Sequence, residues 1–418
     1  MRSGAVLLGV GLVSFLCGVG HWRFLYGQQH PPHVGREARA ARHALSRPTD
    51  PGAVETDVLP LSGEFEKQSA LMLACDEMAV VFPRLLVDIV RAAQESIPIV
   101  GVVRQMHHVP KVSEVLTAGG VRPETVQFVV IPSDAQWIRD YGPIFLRRKD
   151  GSVFIADCRY RRTLPNKALR LRDDAAPAQL GRSIRMPVVS VPLDLEGGNL
   201  LSNGAGLYVT STGTIARNYP SDPERGRALL ERLLPKHFGG DRWVFVRPLE
   251  GESTGHVDMF MTFVAPDVAV LARCDPADDP VNAAILDETA AKLTGLPTPR
   301  GPMKVHRVPM PKVRNGWRTY TNVIFANGTL LMPTFQDVPP EIQNEALCLY
   351  ARLLPGWRIV GIRTDELVRG QGLLHCVCLH LPSFLDAEDL SPALPQSPPT
   401  AAAGPWRSTP ESAAAAIR

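Results

Sequence analysis

Gly370-Gln371-Gly372-Leu373-Leu374-His375-Cys376-Val377-Cys378 sets a cysteine directly after a glycine-rich stretch, late in a chain of 418 residues. Such a backbone can hold a thiol exposed and close to N–H dipoles, a setting that favours the thiolate. Most unpaired cysteines are instead small buried hydrophobes. The choice turns on what the rest of the chain brings to Cys376.

Three segments upstream carry chemistry. Gly255-His256-Val257-Asp258 spaces an imidazole and a carboxylate two residues apart. On a strand both would point to one face, a general base beside a cation-binding carboxylate; a satisfied core histidine is the plainer alternative. Glu196-Gly197-Gly198-Asn199 follows an apolar run, and paired glycines permit close approach of the backbone to a ligand or positive φ. A tight turn would explain them too, but a dinucleotide fingerprint would need a third glycine and a strand–turn–helix context. Trp137-Ile138-Arg139-Asp140-Tyr141-Gly142-Pro143 follows a β run and a Pro132-Ser133 turn, which places Asp140 where a strand gives way to a loop. Alone, Asp140 would pair with Arg139 or cap a turn. His256, Asp258, His375, Cys376 and Cys378 do not form the recurring pairs of a zinc site, so no metal is expected.

Together and in this order, the four segments resemble the agmatine deiminase and Porphyromonas-type peptidyl-arginine deiminase family of the guanidino-group-modifying enzymes. Its members carry Trp-x-Arg-Asp-x-Gly-Pro, Glu-Gly-Gly, Gly-His-x-Asp and a late glycine-rich stretch ending His-Cys. The resemblance runs from about Leu59 to Pro382, through Leu61-Ser62-Gly63-Glu64-Phe65-Glu66, Tyr320-Thr321-Asn322, Asn327-Gly328 and Pro333-Thr334-Phe335-Gln336-Asp337. It implies one catalytic domain, a five-bladed pseudo-symmetric α/β propeller (pentein) with its site on the central axis. On the same ground Cys376 resembles the nucleophile, His256 the general acid/base, and Asp140 and Asp258 the carboxylates that grip a guanidinium. Glu196, Asn322 and Trp137 match positions at the substrate. Arg162 resembles one of two arginines that receive the carboxylate of a C-terminal arginine in the peptidyl-arginine branch. The implied reaction hydrolyses a C–N bond of a linear amidine through a thiouronium intermediate, without metal or organic cofactor. It would turn agmatine into N-carbamoylputrescine, or peptidyl-arginine into peptidyl-citrulline. The chain departs from the family at Gln371, where a glycine is common, and at Cys378. A binding protein that keeps the fold and the guanidinium pocket without turnover is the second reading, and an unrelated cysteine amidase or peptidase a third.

Composition fits this picture. The chain has 45% hydrophobic and 21% charged residues, with 45 basic against 42 acidic side chains. That permits a sizeable core and supplies no dense basic stripe for nucleic acid. Seven cysteines, at 17, 75, 158, 274, 348, 376 and 378, are too sparse for a disulfide scaffold. Residues 4–20 form an apolar run between Arg2 and His21-Trp22-Arg23, so 1–27 reads as a signal peptide or signal anchor and the protein as extracytoplasmic, with anchoring through 4–20 an open option. Residues 28–57 read as a disordered linker, 58–385 as the catalytic domain and 386–418 as a disordered Pro/Ala-rich tail. A guanidino compound or an arginine-containing peptide is the expected partner; a homo-oligomer is compatible with the sequence.

Between the ends, short β-rich runs alternate with amphipathic stretches, an α/β pattern recurring about five times. Strands are expected at 97–103, 127–131, 152–156, 207–210, 243–246, 268–271, 322–325, 330–333 and 358–362. Helices are expected at 81–95, 223–234, 280–293 and 340–354, several opening with proline in the first turn.

Overall fold

The computed structural model describes residues 57–162, 169–311 and 316–393. The expectations for the apolar run at 4–20, for most of the 28–57 linker, for the segment after Arg162 and for most of the tail lie outside these residues. Among the described residues, no helix is long and apolar enough to cross a membrane.

All nine expected strands are present with shifted ends, and four of the sheets repeat one plan. A hairpin of two antiparallel strands is followed by a crossover to a third strand, parallel to the second. The four sets are Ile144–Arg147, Val153–Arg159 and Val188–Asp194; Leu201–Ser202, Leu207–Ser211 and Arg242–Val246; Met261–Ala265, Val268–Arg273 and Lys304–Pro309; and Ile324–Ala326, Thr329–Thr334 and Arg358–Arg363. Crossover helices such as Pro223–Phe238, Pro280–Leu293 and Pro340–Leu353 join second to third strands, as parallel pairing requires. The helix expected at 81–95 begins instead at Pro83 and follows a separate helix, Cys75–Val81.

The remaining large sheet is assembled from both ends of the described chain. Cys378–Pro382 runs antiparallel to Gln68–Ala74, with Leu73 opposite Cys378, and Ile99–Val103 and Val126–Val130 follow in parallel. Every residue of Ile99–Val103 and Cys378–Pro382 is buried, so these strands read as short apolar runs without alternation.

The connection leaving each sheet's last parallel strand is where the sequence motifs fall. Asp140 stands in a one-turn helix, Ile138–Tyr141, not at a strand end, and Glu196 opens a 3-10 turn at Gly197–Asn199. His256 precedes a 3-10 turn at Val257–Met259, Asn322 precedes Ile324–Ala326, and Cys376 lies in a 3-10 turn at His375–Val377. The helical turn Ile138–Tyr141 packs on the turns at Gly197–Asn199 and His375–Val377, and Gly197–Asn199 packs on Val257–Met259. Turns far apart in sequence thus meet, each held at its two ends by strands of different sheets.

Candidate active site

His256 and Asp258 come together by a route other than the expected one. Val257–Met259 is a 3-10 turn and not a strand, so they converge through the turn's winding. The loop before it is shaped by Glu252, whose carboxylate accepts the backbone N–H groups of Thr254 at 2.9 Å and Gly255 at 2.6 Å. The imidazole is 1% exposed; its Nε2 lies 2.5 Å from Glu196 Oε2 and its Nδ1 3.5 Å from Asp140 Oδ1. Burial alone would push its pKa down, but Asp140 and Glu196 outweigh burial and hold it at about 9.

Glu196 is the hub of this half of the site. Besides His256 it receives Arg162 through both carboxylate oxygens, Nε on Oε1 and Nη2 on Oε2, each at 2.7 Å, and Arg217 Nη1 on Oε2 at 2.7 Å. Its burial, which would raise the pKa, is overcome by His256 and the two arginines, and the carboxylate stays ionised well below the usual range. Arg162 therefore stands on Glu196 and Thr254 O, in a planar bidentate pair, and does not present a free guanidinium.

Asp140 does not pair with Arg139, whose Nη1 reaches Glu64 Oε1 at 2.7 Å. Burial first, then Glu196 and Asp258, raise the Asp140 carboxyl to about 6 against the pull of His256. Two carboxylate oxygens here, Asp140 Oδ1 and Asp258 Oδ1, are buried without a hydrogen-bond partner. Buried acceptors of this kind are rare and costly unless something fills them. Gly198 marks the spot: a Cβ there would sit 2.5 Å from His256 Nδ1, 2.9 Å from Asp140 Oδ1 and 3.0 Å from Asp258 Oδ2. The paired glycines thus serve close approach, and Asn199 fixes their turn by bonding the Ser211 backbone N–H, the Ser211 hydroxyl and the Thr214 hydroxyl.

Cys376 departs from its expected setting. The thiol is 4% exposed, and burial, then Asp258 and Asp140, push its pKa well above the usual thiol value. The one-turn helix Ile138–Tyr141 packs on the 3-10 turn that carries it, and the thiol is sealed where exposure was expected. Asn322 holds the turn by accepting the His375 backbone N–H at 2.8 Å and pointing Nδ2 at Cys376 Sγ, 3.6 Å away. Gln371 adopts φ 64°, a left-handed conformation that favours the glycine common there, and its side chain accepts the Ser253 hydroxyl at 2.6 Å. Trp137 lies where three apolar clusters meet, its indole against the Cα atoms of Gly370 and Gly372. No group of three or more His, Cys, Asp or Glu among the described residues has metal-holding geometry.

Sequence reasoning missed four contributors: Arg217, Gly198, Glu64 and His375. Gly198 and His375 stood inside the quoted motifs, whereas Arg217 reaches Glu196 and Glu64 reaches His375 from distant segments.

The assembled feature is a buried thiol and imidazole beside two unfilled carboxylate oxygens, on an α/β fold. The model of the Porphyromonas-type peptidyl-arginine deiminases matches residues 61–382, and the chain belongs to that deiminase family. It is similar to the agmatine deiminase of Enterococcus faecalis, 18% identical with a TM-score of 0.65, covering 78% of this chain and 96% of that one. It is also similar to the agmatine deiminase of C. jejuni, 20% identical with a TM-score of 0.62 and the same coverage. These structural likenesses establish the α/β fold. A Photobacterium profundum protein named in the agmatine deiminase class is 23% identical over 363 residues, 78% of this chain and 96% of its own length.

Proposed function

We propose that the protein is a cysteine-dependent deiminase that hydrolyses the C–N bond of a guanidinium group, and that its sheets form a five-bladed pseudo-symmetric ring around the site, within one catalytic domain at 58–385. One observation carries the reading: the carboxylates of Asp140 and Asp258 converge with His256 on Gly198, and each keeps a buried oxygen without a hydrogen-bond partner. A guanidinium is planar and cationic, and two fixed carboxylates would accept its N–H fork in charge-assisted bonds that orient its carbon for attack.

The electrostatics then order the steps. Burial and two carboxylates oppose the thiolate and favour the protonated thiol. A bound cation offsets those carboxylates and favours ionisation, the thiol proton leaving to solvent, since an adjacent positive charge stabilises the charged form. The Cys376 sulfur adds to the guanidinium carbon. His256, cationic at neutral pH, gives its proton to the departing nitrogen, which leaves as ammonia, and an S-linked thiouronium remains. The neutral imidazole then takes a proton from water as its oxygen attacks the same carbon. Collapse of that adduct breaks the C–S bond, returns the proton to sulfur and releases the ureido product. Asn322, bonding toward the sulfur, keeps it in line.

The commitment of Arg162 to Glu196 favours agmatine, which has no carboxylate, over a C-terminal arginine. The apolar run at 4–20 supports an extracytoplasmic location. The test is release of ammonia and ureido product by the full chain with agmatine, free arginine and a peptide ending in arginine. Turnover of one of them, abolished in Cys376→Ala, is the expected result. Binding of a guanidine without turnover would move the assignment to a binding protein, and neither binding nor turnover would overturn it.

A further inference from the structure

His375, the neighbour of the thiol, has no part in the steps above, yet it is buried between carboxylates from distant segments. Its Nδ1 lies 2.7 Å from Asp258 Oδ2 and its Nε2 2.7 Å from Glu64 Oε2. An ionised carboxylate only accepts hydrogen bonds, so an imidazole between two of them donates from both nitrogens and carries a positive charge. Burial and Arg139 oppose that charge, while Glu64 and Asp258 outweigh them and hold the pKa above its ordinary value. Behind Glu64 stands Arg139, with Nη1 on Glu64 Oε1 at 2.7 Å and Nη2 3.1 Å from His380 Nδ1.

The row Asp258, His375, Glu64, Arg139 ends at Asp258, whose Oδ2 lies toward Gly198 and whose Oδ1 is buried without a hydrogen-bond partner. His256 occupies a matching sandwich between Glu196 and Asp140. One buried imidazole faces the reacting carbon, and the other backs a carboxylate that grips the substrate.

We propose that His375 is a positioning residue: with Glu64 it holds Asp258 through Oδ2 and fixes the orientation in which that carboxylate meets the guanidinium. A carboxylate free to rotate would share both oxygens with the nearest donors and offer the substrate a poorer acceptor. Removing the imidazole would also leave Asp258 and Glu64 facing each other without the cation between them, which like charges in a buried site oppose. The inference rests on the deiminase reading.

Calorimetry on the full chain tests it, in a Cys376→Ala background that binds without turnover, with agmatine as the probe. His375→Gln and Glu64→Gln, each added to that background, should weaken binding by about tenfold or more. The two together should be no worse than the stronger single change, because both break one row. Folded variants that lose melting temperature but keep the dissociation constant within about twofold overturn the proposal, since packing alone would do that. Should neither variant fold, the imidazole nitrogen spectrum of the Cys376→Ala chain decides. Two protonated ring nitrogens on His375, shifting when agmatine is added, support the proposal; a neutral or insensitive ring overturns it. If the Cys376→Ala parent binds none of the three guanidines and the wild type releases no ammonia, the deiminase reading itself has failed, an outcome distinct from intact binding in the variants.

Discussion

Gly198→Ala probes the site more sharply than removal of any functional group. Its backbone lies in a 3-10 turn with ordinary dihedral signs, so alanine imposes no conformational penalty there. The added methyl would sit 2.5 Å from His256 Nδ1, 2.9 Å from Asp140 Oδ1 and 3.0 Å from Asp258 Oδ2. It enters the space between His256 and the carboxylates of Asp140 and Asp258, where a guanidinium would lie. A hydrogen bond to a charged group contributes about 1.5–3 kcal/mol. Loss of one at each carboxylate is about 3–6 kcal/mol, a fall of about 10²- to 10⁴-fold in kcat/KM. Steady-state ammonia release with agmatine measures it, with the melting temperature as the control for folding. A Gly198→Ala chain that keeps its melting temperature and its kcat/KM within about threefold would refute the placement of the substrate between Asp140 and Asp258.

Further expectations concern protons and support. The kcat/KM profile against pH should be bell-shaped, falling below about 6 as Asp140 protonates and above about 9 as His256 loses its proton. Because the folded-state pKa of His256 is raised from 6.5, its contribution to stability is complete below about 6.5 and is lost as pH rises through about 9, measurable as a decline in unfolding free energy across that window. Glu196→Gln should move the alkaline limb of the activity profile downward, since it removes the closest of the carboxylates that raise the imidazole; an unmoved limb would exclude Glu196 from that role. Asn322→Ala should lower kcat more than it raises KM, by about 10-fold to 100-fold for the loss of one or two hydrogen bonds. A pure KM effect would place Asn322 on the substrate rather than behind the sulfur.

The alternation of strand and helix was legible because each second strand carries an apolar run bounded by turns; the third strands Val188–Asp194 and Lys304–Pro309 were not read. Several elements escaped, and three of them show the physical reasons. Gln68–Ala74 is buried along nearly its whole length and shows no alternation, so periodicity does not separate it from a helix. Leu171–Ser183 contains Pro177 and Gly181 and has weak amphipathicity, so it carries breakers where a helix would be sought. Lys304–Pro309 mixes charged and apolar residues and takes its identity from parallel pairing with Val268–Arg273.

At the site, residue types and order were legible and environments were not. His256, Asp258 and Cys376 were singled out by their motifs and given roles by the family resemblance; the motifs implied a strand and an exposed thiol, where a 3-10 turn and a buried thiol are found. Arg162 was recognised as a cation near the site, while its partner Glu196 lies 34 residues away, a relation that no local pattern encodes. Glu64 reaches His375 across 311 residues and carries no sign of that role in its own segment.

Cys376 lies two residues before the strand Cys378–Pro382, which completes the sheet begun by Gln68–Ala74. During synthesis the earlier segments emerge from the ribosome with that sheet lacking an edge partner and the site lacking its sulfur. Both gaps close when one short stretch docks. Assembly of the site is thereby tied to docking of this stretch, so a chain ending before His375 holds the carboxylates and the His256 imidazole but neither the thiol nor the sheet's edge strand.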